Sequence, residues 1–101
     1  MISFTVRMEF NEADRDAVAE MLRHLGPASC RELGCINYIA HFVEAEPATV
    51  LIYEQYQDEA ALEHHRNTPH FQQYATGLYQ IMRSREIENL NAVDLCSLTT
   101  T

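Results

Sequence analysis

Glu54, His65 and His70 fall within one stretch of the chain, Tyr53–Phe71 (YEQYQDEAALEHHRNTPHF), and their types suit proton transfer. A neutral imidazole can take a proton from a hydroxyl or an acidic C–H. A carboxylate beside it can orient the ring or stabilise developing charge. Three elements must position these groups. Thr49–Gln57 alternates as a strand, with Val50, Ile52, Glu54 and Tyr56 on one face and Leu51, Tyr53 and Gln55 on the other. Glu54 thus shares an apolar face, where a carboxylate needs a partner. Asp58 can cap a short helix, Glu59–Arg66. At about 100° per residue, Ala61, Leu62 and His65 share its apolar arc, so His65 points inward and His64 outward. Thr68-Pro69 then opens a second helix, Thr68–Arg83, with Thr68 as N-cap and Pro69 at the first helical position. His70 falls in its first turn, where the helix dipole disfavours the protonated ring.

The rest of the chain supplies a scaffold. Ile2–Phe10 alternates as a half-buried strand, and Asn11 is placed to cap the helix that follows. Ala17, Val18, Met21, Leu22 and Leu25 recur at helical spacing. Gly26-Pro27 predicts a break or kink, giving a bent helix that ends at Gly34. Cys35–Val43 is a strand with apolar residues on both faces: Ile36, Tyr38, Ala40 and Phe42 on one, Cys35, Ile39 and Val43 with Asn37 and His41 on the other. Both faces therefore need cover, one from helices and the other from a second subunit. Glu44–Ala48 is a polar turn, so this strand and the next form an antiparallel hairpin. Along the Thr68–Arg83 helix, Phe71, Tyr74, Ala75, Leu78, Ile81 and Met82 make an apolar arc. Arg85–Leu95 reads as a polar last strand and Cys96–Thr101 as a flexible tail. The order β-α-β-β-α-α-β is the α+β, ferredoxin-like split arrangement with one extra short helix. We expect one domain over residues 1–95.

Composition excludes several classes of function. The 101 residues carry a formal charge of −8, and all seven basic residues are arginines. That is no footprint for nucleic acid, and without lysine there is no Schiff-base or P-loop lysine chemistry. No apolar run approaches the length of a membrane span, and the N-terminus runs straight into a strand-like alternation without a basic region followed by an apolar core, so a soluble, unexported protein is expected. The three cysteines, Cys30, Cys35 and Cys96, are an odd number without C-x-x-C spacing, which fits reduced thiols in a cytoplasmic protein. His64, His65 and His70 show neither H-x-x-x-H on one helix face nor HExxH, so no metal site is expected from them.

Gly34-Cys35, Tyr38, Tyr53-Glu54, Asp58-Glu59-Ala60-Ala61-Leu62, His65 and Thr68-Pro69-His70-Phe71 together resemble the antibiotic biosynthesis monooxygenase family. The resemblance spans roughly Ile2 to Leu95 and is densest between Tyr53 and Phe71. It implies a ferredoxin-like domain dimerised through its sheets into an α+β barrel. It also implies a cofactor-independent monooxygenase acting with molecular oxygen on a small aromatic or quinol-type substrate. His70 would then be the base, with His65 and Glu54 orienting it or stabilising charge. The same family includes haem-degrading enzymes, which typically set a Trp against the ring, and this chain has no Trp. It also includes a sugar-phosphate isomerase. An isomerase or other proton-transfer enzyme, and a non-catalytic dimeric binding module with structural histidines, therefore remain alternatives. Tyr38, Tyr53, Tyr74, Asn37 and Phe71 are the candidate substrate contacts, as polar or aromatic residues on the elements around the histidines.

Overall fold

The alternation at the start of the chain forms β1 (Ile2–Glu9), which buries Phe4, Val6 and Met8. The computed structural model describes residues 1–93. The expected tail, residues 96–101, and the last two residues of the expected final strand lie outside the described residues. A 3-10 turn (Glu12–Asp14) follows β1 and leads into α1 (Arg15–Cys30). Asn11 makes no side-chain cap. Its carbonyl instead accepts the Asp14 amide at 2.9 Å, so the tight turn occupies the expected first turn of the helix.

The expected end of α1 is corrected. The helix continues through Pro27 and ends at Cys30 rather than at Gly34. Proline costs a helix interior roughly 3 kcal/mol. Here Val18, Leu22, Leu25 and Ser29, at helical spacing on both sides of Pro27, are buried against the sheet and hold the helix across it. Gly34 closes the turn that follows, at φ 91°. A Cβ there would lie 2.7 Å from the Ala61 Cβ, so the turn also depends on glycine for its close approach to the next helix.

β2 (Cys35–Val43) and β3 (Glu46–Tyr56) form the expected antiparallel hairpin, with Val43 opposite Glu46. β3 therefore starts three residues earlier than Thr49, and the turn is shorter than Glu44–Ala48. The register between the strands shifts at Ile36: Cys35 is opposite Tyr56 and Asn37 is opposite Gln55. This bulge places Cys35 on the face of Tyr38 and Tyr56, correcting the simple alternation, and leaves Ile36 exposed.

α2 (Glu59–Arg66) carries the expected cap: the Ala61 amide donates to Asp58 Oδ1 at 2.8 Å. The last helix opens at residues 69–70, widens to π-type geometry over Phe71–Ala75 and continues as α3 (Thr76–Ile81). Thr68 caps it, accepting from the Phe71 amide at 3.3 Å while its hydroxyl donates to the His65 carbonyl at 2.7 Å. β4 (Ser84–Leu90) is exposed throughout, as suits an edge strand. The sheet order is β2-β3-β1-β4 with every pair antiparallel, which is the ferredoxin-like arrangement. Helices cover the face bearing Phe4, Val6, Met8, Val50, Ile52 and Tyr56, and among the described residues the opposite face is left without helices. Among the described residues no helix is long and apolar enough to cross a membrane.

Candidate active site

Glu54 occupies an apolar position on the covered face of β3 and is 6% exposed. Its partner within the sheet is two residues away: the Tyr56 hydroxyl donates to Glu54 Oε1 at 2.6 Å. Burial is the main cause that pushes the Glu54 carboxyl up to about 7, against the lowering effect of that hydrogen bond. Burial likewise holds the Tyr38 and Tyr56 phenols well above their ordinary value, so both stay protonated donors.

His65 points inward as expected and His64 is exposed. The His65 ring lies among the rings of Tyr38, Tyr56 and Phe71, at centroid distances of 5.7, 5.1 and 5.1 Å. Its Nε2 faces Glu54 Oε1 at 3.7 Å, beyond hydrogen-bond distance. The hydrogen bond is made by the other nitrogen. Nδ1 lies 2.8 Å from Glu32 Oε2 and 3.0 Å from Oε1. Burial lowers the His65 pKa despite the raising pull of Glu32, which favours the neutral ring. A carboxylate only accepts, so the network assigns the proton to Nδ1 and leaves Nε2 as the lone pair facing Glu54.

His70 Nε2 hydrogen-bonds to the same Glu32 oxygen, Oε2. Glu32 thus bridges both histidines with a side chain that is only 4% exposed, while the His70 side chain is 19% exposed. With Nε2 donating to Glu32, the free lone pair of neutral His70 is on Nδ1. The site is therefore a carboxylate holding two imidazoles, with the second carboxyl of Glu54 behind one of them. Glu32, His65 and His70 are also donors of the types that bind metal ions.

Beside this cluster is a cavity of about 20 Å³, lined by Glu54, His65, Tyr38, Phe71 and Tyr79 among others. It is large enough for a water molecule. A wider apolar groove of about 440 Å³ runs between α1 and β2, lined by Leu22, Pro27, Cys30, Ala40 and Phe42, with Arg23 and His41 as polar groups. Its volume is within the range of small-molecule sites. Tyr38 lines both spaces.

Of the expected contacts, Tyr38 and Phe71 are at the site. Tyr53 and Asn37 are not: they lie on the opposite face of the sheet, where Asn37 Nδ2 donates to Gln55 Oε1 at 2.8 Å. Tyr74 stacks on the exposed His24 ring at 5.0 Å instead of lining the cavity. Three contributors were not foreseen. Tyr56 was legible from the alternation that it shares with Glu54. Tyr79 lines the cavity because the π-type turn ahead of α3 changes the arc of the helix. Glu32 had no periodic or motif signal, and only the turn after α1 brings it to the histidines.

A ferredoxin-like sheet with helices on one face, enclosing a buried carboxylate–histidine cluster at the sheet–helix boundary, defines a class of small α+β domains. The chain belongs to the antibiotic biosynthesis monooxygenase family, whose model matches residues 1–77. It is similar to solved structures of a Pseudomonas aeruginosa protein (27% identity, TM-score 0.84, covering 92% of this chain and 94% of that one). It is also similar to a conserved Bacteroides thetaiotaomicron protein of unknown function (27% identity, TM-score 0.81, covering 88% and 94%). An antibiotic biosynthesis monooxygenase of 22% identity matches with a TM-score of 0.87 over 93% of this chain and 100% of its own.

Proposed function

We propose that this protein is a cofactor-independent monooxygenase acting on a small electron-rich aromatic, such as a quinol or an anthrone, with molecular oxygen. The observation that carries the reading is the Glu32 bridge to His65 and His70, with His65 lining a small cavity that shares Tyr38 with the apolar groove. A carboxylate holding one N–H of His70 fixes the tautomer and directs the basic lone pair at Nδ1 outward, the arrangement used to activate an imidazole as a general base. His70 takes the proton from a substrate hydroxyl or acidic C–H. The resulting anion is electron-rich enough to react with oxygen; one oxygen atom stays in the product and the other leaves as water, with all the electrons drawn from the substrate.

The other residues have supporting roles in this reading. His65 and Glu54 position the cluster and stabilise developing charge, while the Tyr38 hydroxyl and the edge of Phe71 orient the ring of the substrate. The groove between α1 and β2 admits the substrate, and displacement of the Tyr38 ring joins it to the small cavity beside the histidines. A second copy of the chain covers the helix-free face of the sheet, where Ile39 and Leu90 are 47% and 37% exposed.

The test is oxygen uptake by chelator-treated protein against a panel of quinols and anthrones. Uptake above autoxidation that disappears in folded His70→Ala, on the order of 10²-fold or more, supports the reading. Uptake that is indifferent to both His70→Ala and His65→Ala refutes the histidine mechanism. Substrate proton exchange without oxygen uptake would instead favour an isomerase using the same groups.

A further inference from the structure

We propose that Glu32, His65 and His70 form a binding site for one first-row divalent transition-metal ion. Their donor atoms lie within 4.8 Å of one another and come from three separate elements. Glu32 is in the turn between α1 and β2, His65 is on α2, and His70 is in the first turn of the last helix. Each is fixed before any ion arrives: Glu32 by the turn that Gly34 closes, His65 by three surrounding rings, and His70 by the Thr68-Pro69 helix start.

Two imidazoles and one carboxylate select ions of the zinc, cobalt and iron(II) class over calcium or magnesium, which prefer all-oxygen shells. Bonds of about 2.0–2.2 Å place donors about 3.4 Å apart across a tetrahedron. Nδ1 of His65 lies 2.8 Å from the Glu32 carboxylate, so a small outward shift of that carboxylate seats an ion between the three.

Two further observations point to a cation. Glu54 faces the other nitrogen of His65 at 3.7 Å and is itself held by the Tyr56 hydroxyl at 2.6 Å. A carboxylate behind a ligating histidine is the usual outer support of such sites. Metal at Nδ1 moves the ring proton to Nε2, where closing the 3.7 Å gap lets Glu54 accept it; on His70 the proton moves to Nδ1, so the base of the oxygenase reading belongs to the ion-free protein. The second observation is charge. Among the described residues, the ion-pair partners of Glu32 and Glu54 are histidines alone, so two buried carboxylates lie together with no arginine in ion-pair contact, and Arg66 acts on Glu54 only from farther away. A divalent ion supplies the compensating charge. The partly exposed edge of His70 is its route in, and three protein ligands leave a coordination position for water or substrate.

The proposal does not depend on the oxygenase reading, because ion binding is measured without substrate and oxygen uptake is measured on chelator-treated protein. The probe is Co²⁺, titrated into metal-free protein and followed by ligand-field absorption, with stoichiometry from equilibrium dialysis. One ion per chain is expected, displaced by Zn²⁺. Glu32→Gln and His70→Gln, each checked for folding by circular dichroism, should weaken binding at least tenfold. His64→Ala and His24→Ala, on exposed rings, should leave it unchanged. Absence of stoichiometric binding overturns the proposal. So does binding that survives both Glu32→Gln and His70→Gln, or that is lost with His64→Ala.

Discussion

Glu32 and His70 are 38 residues apart in the chain, yet Nε2 of His70 hydrogen-bonds to Oε2 of Glu32. The same carboxylate holds Nδ1 of His65. If His70 is the base, Glu32 sets its tautomer. Glu32→Gln replaces an acceptor-only group by an amide and should lower kcat of the oxygenation on the order of 10²-fold with a smaller change in KM. A steady-state comparison on the best substrate of the panel checks this. A change confined to KM would place Glu32 outside proton transfer.

Glu54 makes stability depend on pH. Its carboxyl, ordinarily at 4.5, is raised to about 7 in the folded state, so the folded chain holds this proton more tightly than the unfolded one. Its contribution to stability is therefore highest below pH 4.5 and falls as pH rises towards 7, by up to about 3 kcal/mol. Glu54→Gln keeps an acceptor for the Tyr56 hydroxyl and abolishes the titration. In metal-free protein, urea unfolding should show the variant gaining on the parent by about that amount between pH 4.5 and pH 8. A pH-independent difference would refute the assignment.

Gly34 is the hinge on which the position of Glu32 depends. Its φ of 91° and the 2.7 Å approach of Ala61 to an added Cβ make Gly34→Ala strained and overpacked together. The expected destabilisation is about 2–4 kcal/mol. Thermal unfolding measures it, and a cost below 1 kcal/mol would show that the turn adapts.

The thiols should differ in reactivity. Burial, then the charges of Glu32, Cys30 and Glu54, pushes the Cys35 thiol up to about 12, whereas Cys30 is exposed. In the native protein at pH 8, iodoacetamide should label Cys30, and Cys35 should carry roughly 10³-fold less thiolate than an ordinary cysteine. Peptide mapping reads both sites. Equal labelling would mean that the turn opens readily.

If a second copy covers the helix-free face, Ile39→Glu should disrupt it. Ile39 is 47% exposed on that face of β2, opposite Tyr53. Light scattering should report a dimer for the parent chain and a monomer for the variant, with oxygen uptake measured in parallel. A parent chain that is monomeric at micromolar concentration would remove the dimer from the proposed function.

Much of the scaffold was legible because it is local. Period-two alternation marked β1, β2 and β3, Asp58 and Thr68-Pro69 marked two helix starts, and the apolar arc of α2 placed His65 inward and His64 outward. The misreadings have physical causes. Gly34 marks a helix end to any rule based on capping residues, but α1 stops at Cys30 and residues 31–34 form a separate turn that brings Glu32 to the histidines. The Ile36 bulge inverts the alternation at the start of β2, so Cys35 changes face. The π-type turn rotates the last helix and leaves Tyr74 against His24 while Tyr79 reaches the cavity.

The sequence by itself therefore determined the α+β order, the caps and the inward placement of Glu54 and His65, because each follows from neighbours within a turn or a strand. It also placed Tyr53 and Asn37 on the far face from Tyr38 and Glu54 by alternation alone. Only the tertiary structure decided who partners whom. Glu54 is satisfied by Tyr56 rather than by His65, and the histidines are satisfied by Glu32, a residue with no local pattern to mark it. A buried polar group takes whichever partner the packed chain brings within hydrogen-bond reach, and that choice depends on the docking of α1, α2 and the last helix on one sheet.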